Sequence, residues 1–265
     1  MTQPALVTGG SSGIGLATVR YLAERNVPVY TTVRREAVAG RLNAIDGVEA
    51  FLCDVTDDDQ VGRLGADVEA RGRGLWGLVN NAGIIHAAHL TETPLEELRA
   101  VFEVNVFGVH RVTNVLVDLI VAAGGRIVNV SSLSGILSGE LLGACSMSKH
   151  AVEAHTGSLA KPVAARGVHV CAVVPGNFAS AGVTNLVKRF APPAGASDEL
   201  RSLWAEGADT SRSWFPSPEA VAAACHAALF DPDPLERYLV TPNEEEAHRA
   251  LRVAARVRRV VAEAS

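Results

Sequence analysis

The stretch that decides the fold is residues 5–15, Ala-Leu-Val-Thr-Gly-Gly-Ser-Ser-Gly-Ile-Gly. A short apolar run ends here in a glycine-rich turn, and a helical pattern over residues 13–25 follows. Gly9 can adopt a turn that other residues resist, Gly13 lets the backbone approach a pyrophosphate, and Gly15 permits close packing of a helix on a strand. The helix N-terminus adds unpaired N–H groups and a favourable dipole. The pattern predicts a dinucleotide-phosphate site built from Gly9, Ser11, Ser12, Gly13, Ile14 and Gly15.

Short apolar runs alternate with longer helical patterns along most of the chain. The runs are often β-branched and bounded by Gly, Pro, Asn or Asp, which is typical of buried strands. Such alternation favours parallel strands joined by right-handed crossovers, with helices on both faces of the sheet. We therefore predict an α/β fold, a Rossmann-type, doubly wound, mainly parallel seven-stranded sheet in a single domain over residues 1–265. Strands are predicted at 4–7, 28–33, 48–53, 75–79, 125–130, 168–174 and 237–240, and helices near 13–25, 57–70, 95–122, 147–165 and 217–230.

The interval 177–216 breaks this rhythm with prolines, glycines, serines and two tryptophans. Long irregular segments in compact domains are usually functional, and ligands of open α/β sheets bind at the carboxyl ends of strands. Because the interval follows the sixth predicted strand, we predict a substrate lid over 177–216; an ordinary surface insertion is the alternative. The stretch 243–263 predicts a C-terminal helix whose arginines, offset by glutamates, form a solvated face; a basic face for a membrane or a partner is the alternative.

The composition narrows the classes of function. Hydrophobic residues make up 48% of the 265 residues, which is ample for a large core. A net charge of −5 and an aromatic content of 5% argue against a nucleic-acid partner. The four cysteines form no C-x-x-C pair and no cluster with metal-ligand spacing, so we predict reduced thiols and no metal site. With neither a signal-peptide pattern nor a run of about 18 apolar residues, we expect a cytoplasmic protein without a membrane span.

Further motifs follow the glycine loop in a fixed order. Its spacing is Gly-x-x-x-Gly-x-Gly with Thr8 in front, and Asn81-Ala82-Gly83, Asn105, Ser131-Ser132 and Pro175-Gly176 come next, most of them at predicted strand ends. Together they resemble the short-chain dehydrogenase/reductase family over roughly residues 5–242. The helix from Lys149 and the tail from Tyr238 look closest to retinol- and hydroxysteroid-type members.

The resemblance implies a function and a set of contacts. The family moves a hydride between a nicotinamide cofactor and a carbonyl or carbinol carbon of a small-molecule substrate. Its members pair between subunits through the helices that correspond to 95–122 and 147–165, which implies a homodimer or homotetramer. Beyond the glycine loop, the cofactor contacts that the resemblance implies are Asp54, Val55, Asn81, Ala82, Gly83, Lys149, Pro175, Gly176 and Ser180.

The end of the second predicted strand bears on which dinucleotide is bound. In Rossmann domains an acidic residue there selects NAD, whereas a basic residue tolerates the 2′-phosphate of NADP. Here the strand runs into Arg34 and Arg35, and a guanidinium suits phosphate oxygens. We therefore predict NADP(H) over NAD(H). Two alternatives stay open: both arginines are ordinary solvated residues, or Glu36 reaches the ribose.

The catalytic tetrad that the resemblance implies is incomplete. Asn105, Ser132 and Lys149 match the family's asparagine, serine and lysine, but the tyrosine position holds Cys145. Counting back four residues from Lys149 and forward 13 from Ser132 both give Cys145. Since Cys145 and Lys149 lie one helical turn apart, we expect the ammonium to lower the pKa of the thiol and favour a thiolate. The thiol is also several ångströms shorter than a phenol, so we expect it to reach a substrate oxygen poorly.

Four interpretations of Cys145 follow. The first is a working NADP(H) oxidoreductase whose proton comes from Ser132, a water or Cys145 itself. The second is covalent oxidation of an aldehyde through a thiohemiacetal on Cys145. The third is a redox-neutral enzyme such as an isomerase, cyclase or lyase, and the fourth is a non-catalytic dinucleotide sensor. His86, which follows the Asn81-Ala82-Gly83 turn, could border the same pocket, although a lone loop histidine is more often solvated.

Overall fold

The molecule is organised around one sheet of parallel strands. A computed structural model describes residues 3–178 and 216–254. The strands are β1 (Ala5–Val7), β2 (Val29–Val33), β3 (Val48–Leu52), β4 (Gly77–Asn80), β5 (Arg126–Val130), β6 (His169–Pro175) and β7 (Arg237–Val240). Their order is β3-β2-β1-β4-β5-β6-β7, and every neighbouring pair is parallel. The predicted seven-stranded Rossmann-type sheet is confirmed, and it is wholly rather than mainly parallel.

Both faces of the sheet are buried, which explains the continuous apolar runs. In β1, Ala5 and Val7 pack into one hydrophobic cluster, while Leu6 between them packs into the other. The same alternation places Leu78 and Val79 of β4 on opposite faces. Because side chains of a strand point alternately to its two faces, a strand covered by helices on both sides buries residues on both faces, and most of these are apolar.

Helices cover the sheet on both sides. The described helices are α1 (Gly13–Ala23), α2 (Glu36–Asn43), α3 (Asp58–Ala70), α4 (Leu95–Phe102), α5 (Gly108–Ala123), α6 (Gly143–Ala164), α7 (Glu219–Phe230) and α8 (Glu244–Ala254). All five helical regions predicted between the strands are present. The helix α8 is the described part of the predicted C-terminal helix over 243–263, whose remainder lies outside the described residues.

Three helix predictions need correction. The helix α2 was not predicted; it is only eight residues long and buries Val38, Ala39 and Leu42. The predicted helix 95–122 is interrupted by a π-helical segment, Glu103–Phe107. The predicted helix 147–165 begins earlier, at Gly143, so that Cys145 lies in its first turn.

The helical stretch Leu95–Ala123 is the one place among the described residues with the length and composition of a membrane span. Its second part, α5, packs against β4 and β5. Val112, Leu116 and Ile120 of α5 are fully buried, and they belong to one of the two core clusters. The predicted lid over 177–216 lies outside the described residues except at its two ends, and Ser180 lies outside them too.

Candidate active site

The glycine loop lies where the strand order reverses, between β1 and β4. Thr8 Oγ1 accepts hydrogen bonds from the backbone N–H groups of Asn81 and Ala82, each at 3.0 Å. Asn81 Nδ2 in turn donates to Thr8 O at 2.9 Å. These bonds hold the carboxyl ends of the two strands together at the topological switch point, which is where open α/β sheets bind their ligands.

Backbone conformation and close contacts explain three of the four glycines of the loop. Gly9 has φ +72° and Gly13 has φ +56°, a region that residues with a Cβ rarely adopt. A Cβ on Gly9 would lie 3.0 Å from Ala82 Cα, and a Cβ on Gly15 would lie 3.0 Å from Gly9 C and closer still to Gly9 O and Asn81 Nδ2. Gly9 and Gly15 therefore allow the loop to fold against the end of β4, and Gly13 supplies a backbone conformation that favours glycine.

The first turn of α1 suits a phosphate. Its N-cap residue, Ser12, makes no side-chain capping bond, and the turn contains no acidic residue. The helix ladder begins with Leu16 N–H donating to Ser12 O at 3.2 Å. The N–H groups of the three preceding residues, Gly13, Ile14 and Gly15, therefore have no intrahelical acceptor, and they lie at the positive end of the helix dipole. This geometry fits the pyrophosphate of a dinucleotide.

Arg34 and Asp54 lie at the carboxyl ends of β2 and β3. The Arg34 guanidinium is 3.8 Å from Asp54 Oδ2, and its side chain is 72% exposed. The carboxylate is held in place because Asp54 Oδ1 accepts from Thr56 N at 3.0 Å and from Thr56 Oγ1 at 2.8 Å. Arg35 lies at the N-cap of α2 without a capping bond. A basic pair thus lies where a Rossmann domain meets the adenosine ribose.

Val55 is less accessible than expected of a cofactor contact. It is 6% exposed, and Gly108 of α5 approaches it so closely that a Cβ there would lie 2.7 Å from Val55 Cγ2. Any contact of Val55 with a cofactor must therefore use its backbone.

Asn105 ties the π-helical segment to the loop after β4. Its side chain is 1% exposed, and its Oδ1 accepts from Ile84 N at 2.8 Å. Its Nδ2 donates to Ile84 O at 3.0 Å and to Ser148 Oγ at 3.0 Å. The π-helical turn lets one polar side chain reach both the loop and α6, and π-bulges are often found at functional sites.

Ser132 and Lys149 lie at the end of β5 and on α6. Ser132 Oγ accepts from Ser134 N at 3.1 Å at the start of a short 3₁₀ turn. Lys149 Nζ donates to Val130 O at 2.7 Å, so the half-buried ammonium sits against the end of β5. Desolvation lowers the pKa of Lys149 to about 8, although the nearby Cys145 and Glu153 act in the opposite direction.

Cys145 is bound to the backbone of His86. Its Sγ accepts from His86 N at 3.3 Å and lies 3.6 Å from His86 O, to which it donates. The residue is 6% exposed. Burial raises the pKa of the Cys145 thiol and outweighs the lowering by the His86 N–H and by Lys149. The predicted thiolate is therefore wrong, because loss of hydration destabilises the thiolate more than the neighbouring ammonium stabilises it.

His86 itself is buried, which the sequence analysis missed. It is 8% exposed, and its Nδ1 lies 3.5 Å from Glu97 Oε2 in the first turn of α4. The solvated position expected for a loop histidine is therefore wrong. The sequence signal that could have indicated this is a histidine three residues after Gly83, shortly before the acidic first turn of α4.

Comparison with known proteins identifies the family of this chain. A family profile described as short chain dehydrogenase matches residues 3–190. The chain belongs to the short-chain dehydrogenase family. A short-chain dehydrogenase from Streptomyces avermitilis has a similar structure, with a TM-score of 0.79 and 32% identity, over 96% of this chain and 94% of that one. The recognition of the family from its motifs is confirmed.

Several relatives resemble this short-chain dehydrogenase in sequence. Dehydrogenase/reductase SDR family member 9 of Homo sapiens is 34% identical, and retinol dehydrogenase 7 of Rattus norvegicus is 35% identical, each over 75% of this chain and 61% of the relative. The chain thus spans less than two thirds of the length of these two. The NADPH-dependent 3-dehydrocapnine reductase of Ornithobacterium rhinotracheale is 30% identical, over 91% of this chain and 88% of the relative.

Two further solved structures share the fold at lower identity. One from Burkholderia cenocepacia J2315, a complex with NADP, has a TM-score of 0.77 at 23% identity over 96% of this chain and 94% of that one. One from Burkholderia phymatum, a complex with NAD, has a TM-score of 0.78 at 21% identity over 94% and 92%. The fold therefore accommodates either cofactor, and the choice depends on individual residues of each chain.

The structure brings most of the predicted site residues to one edge of the sheet. The carboxyl ends of β1, β4, β5 and β6 carry the glycine loop, the Asn81-Ala82-Gly83 turn, Ser132 and Pro175-Gly176. Asn105 and Cys145 are joined through the loop 84–86, to which both are hydrogen-bonded. Ser180 lies outside the described residues.

Proposed function

We propose that this protein is an oxidoreductase that uses NADP(H) to interconvert a carbonyl and an alcohol on an apolar small molecule. The observation that carries the proposal is the meeting of two sites at one edge of the sheet. A helix N-terminus with unpaired N–H groups lies there, next to strand ends that hold Ser132 and the ammonium of Lys149. Phosphate binding and polar chemistry on a small molecule thus take place side by side.

The residues present fit the cofactor. The first turn of α1 would hold the pyrophosphate, Lys149 the nicotinamide ribose, and the Asn81-Ala82-Gly83 turn and Pro175-Gly176 would border the rings. When bound, the nicotinamide supplies the acceptor or donor of a hydride. Ser132 would orient the substrate oxygen, and Asn105 would hold the loop beside Cys145 in place.

Arg34 supports NADP(H) as the preferred cofactor. Its guanidinium follows β2 directly, and no acidic residue ends that strand. The side chain is exposed and only loosely paired with Asp54 at 3.8 Å, so it can turn to a 2′-phosphate without breaking a strong contact. Glu36 begins α2 two residues later and is the residue that would favour NAD(H) instead.

The nature of the substrate is inferred from the relatives. The retinol dehydrogenase of Rattus norvegicus is named for an apolar alcohol, and the relative in Ornithobacterium rhinotracheale is named as an NADPH-dependent reductase. Both names agree with a carbonyl–alcohol pair as the reacting group. The surroundings of Cys145 disfavour covalent aldehyde oxidation, because a buried thiol with a raised pKa is a poor nucleophile.

Calorimetric titration with NADPH and NADH tests the choice of cofactor. We expect wild type to bind NADPH more tightly, and Arg34→Ala to weaken NADPH binding by about 1–2 kcal/mol, or 5- to 30-fold, because solvent screens the exposed guanidinium. Arg41→Ala, which removes an exposed arginine from the far end of α2, is the control and should change neither affinity. Tighter binding of NADH by wild type would contradict the proposal.

Turnover tests the reaction itself. When the protein is mixed with NADPH and either benzaldehyde or retinal, we expect the absorbance of NADPH to fall. When it is mixed with NADP and the matching alcohol, we expect that absorbance to rise. A protein that binds NADPH but transfers no hydride to or from either pair would favour the redox-neutral enzyme or the dinucleotide sensor.

A further inference from the structure

The loop between β4 and α4 is fixed on both sides of the candidate site. Asn105 binds both backbone groups of Ile84. Farther along, Ala88 N donates to Leu141 O at 3.0 Å, just before α6 begins. His86 lies midway between these anchors and is 8% exposed. The backbone that carries the imidazole is therefore held between the π-helical segment and the first turn of α6, and the ring itself lies beside Glu97 of α4.

His86 is also the direct neighbour of the position where the family resemblance implies a tyrosine. Both backbone groups of His86 bond to Cys145 Sγ. The thiol is occupied by these bonds, burial raises its pKa, and it lacks the reach of a phenol. The ammonium of Lys149 is likewise engaged, since it donates to Val130 O. A reaction at this site needs a proton donor that neither group supplies well.

Glu97 gives the imidazole the arrangement of a proton-transfer group. Its carboxylate lies 3.5 Å from His86 Nδ1. A carboxylate at one ring nitrogen favours a proton there and makes the other nitrogen the one that exchanges a proton. Histidine is the side chain best suited to such exchange near neutral pH.

We infer that His86, positioned by Glu97, is the proton donor of this site and takes the place of the tyrosine that the family resemblance implies. The inference rests on the oxidoreductase function proposed above. In reduction, the carbonyl carbon accepts the hydride of the reduced cofactor, the C=O π pair moves onto oxygen, and that oxygen takes the proton from Nε2 of the imidazolium. Neutral His86 then regains a proton from solvent, and in alcohol oxidation it accepts the hydroxyl proton instead.

Turnover of His86→Gln tests the inference against a matched control. His89 of the same loop forms a second histidine–glutamate pair with Glu140, which precedes α6. The His89 Nδ1 and Glu140 Oε1 atoms are 3.9 Å apart, and the two side chains are 36% and 84% exposed. With benzaldehyde and NADPH, we expect kcat of His86→Gln to fall by about 100-fold or more with little change in KM. His89→Gln should retain wild-type kcat.

Unfolding temperature and NADPH affinity, measured on each variant, separate loss of chemistry from loss of fold. Glu97→Gln changes a half-exposed side chain and keeps the test available if His86→Gln does not fold; we expect it to lower kcat by about tenfold. Undiminished kcat in a folded His86→Gln or, failing that, in Glu97→Gln overturns the inference and leaves the oxidoreductase function intact. Absence of turnover in wild type removes both.

A second readout does not depend on turnover or on the cofactor. Long-range ¹H–¹⁵N NMR correlations of histidine rings distinguish the Nδ1–H tautomer from the Nε2–H tautomer. We expect His86 of the cofactor-free protein to be the Nδ1–H tautomer when neutral, and Glu97→Gln to remove that preference while His89 is unchanged. An Nε2–H tautomer at His86 in wild type overturns the role of Glu97 and with it the inference.

Discussion

Replacing Gly15 by alanine tests the close contact on which the candidate cofactor site depends. A Cβ at this position would lie 3.0 Å from Gly9 C and closer to Gly9 O and Asn81 Nδ2. Backbone atoms cannot yield as a flexible side chain would, so overpacking costs about 1–3 kcal/mol. Displacing Asn81 Nδ2 from Thr8 O weakens one more hydrogen bond, about 1 kcal/mol. The higher helix propensity of alanine offsets about 1 kcal/mol, which leaves a net loss of about 1–3 kcal/mol.

Gly40→Ala is the matched control, because this glycine also lies in a helix but a Cβ there would meet nothing within 4 Å. It should stabilise the protein by about 0.5–1 kcal/mol. Urea unfolding followed by circular dichroism gives both free energies, and calorimetric titration with NADPH shows whether Gly15→Ala also loses affinity. If Gly15→Ala proves as stable as Gly40→Ala, the close approach of the glycine loop to Asn81 is refuted.

Two further predictions concern α6. Because Cys145 is buried with a raised pKa, iodoacetamide should alkylate it in the folded protein roughly tenfold or more slowly than in the urea-unfolded protein, as measured by mass spectrometry; equal rates would contradict the buried thiol. The pKa of Lys149 is lowered to about 8 in the folded state, so between about 8 and its unfolded value of about 10.4 the unfolded chain binds more protons and stability rises with pH. The stability of wild type relative to Lys149→Met should therefore increase across this window; a flat or falling difference would contradict the desolvated ammonium.

The sequence predicted the sheet well because the sheet is coded locally. A strand buried on both faces is apolar at most of its positions, so β1, β4 and β5 stand out from the chain without knowledge of their neighbours. The helices were predicted less well, because α2 was missed and α6 begins earlier than expected. The short α2 carries too few apolar residues to form a clear stripe, and the true start of α6 at Gly143 has no capping side chain to mark it.

The candidate site could likewise be predicted only in part. The glycine loop could be predicted because the backbone conformation and close contacts at Gly9, Gly13 and Gly15 require glycine, and the spacing of glycines is visible in the sequence. The protonation state of the Cys145 thiol could not be predicted. The one-turn spacing to Lys149 indicates that the ammonium attracts a thiolate, but it gives no information on the loss of hydration. That loss depends on the loop at His86, which lies 59 residues away in the chain and closes over the thiol.

The sequence by itself therefore determined the parallel sheet, the glycine loop and the family to which the chain belongs. Only the tertiary structure decided that the Cys145 thiol is buried against the backbone of His86, and that the His86 imidazole lies beside Glu97. The physical reason is range: periodicity and backbone conformation act between near neighbours, whereas burial and its effect on charge are set by whatever segments the fold brings together.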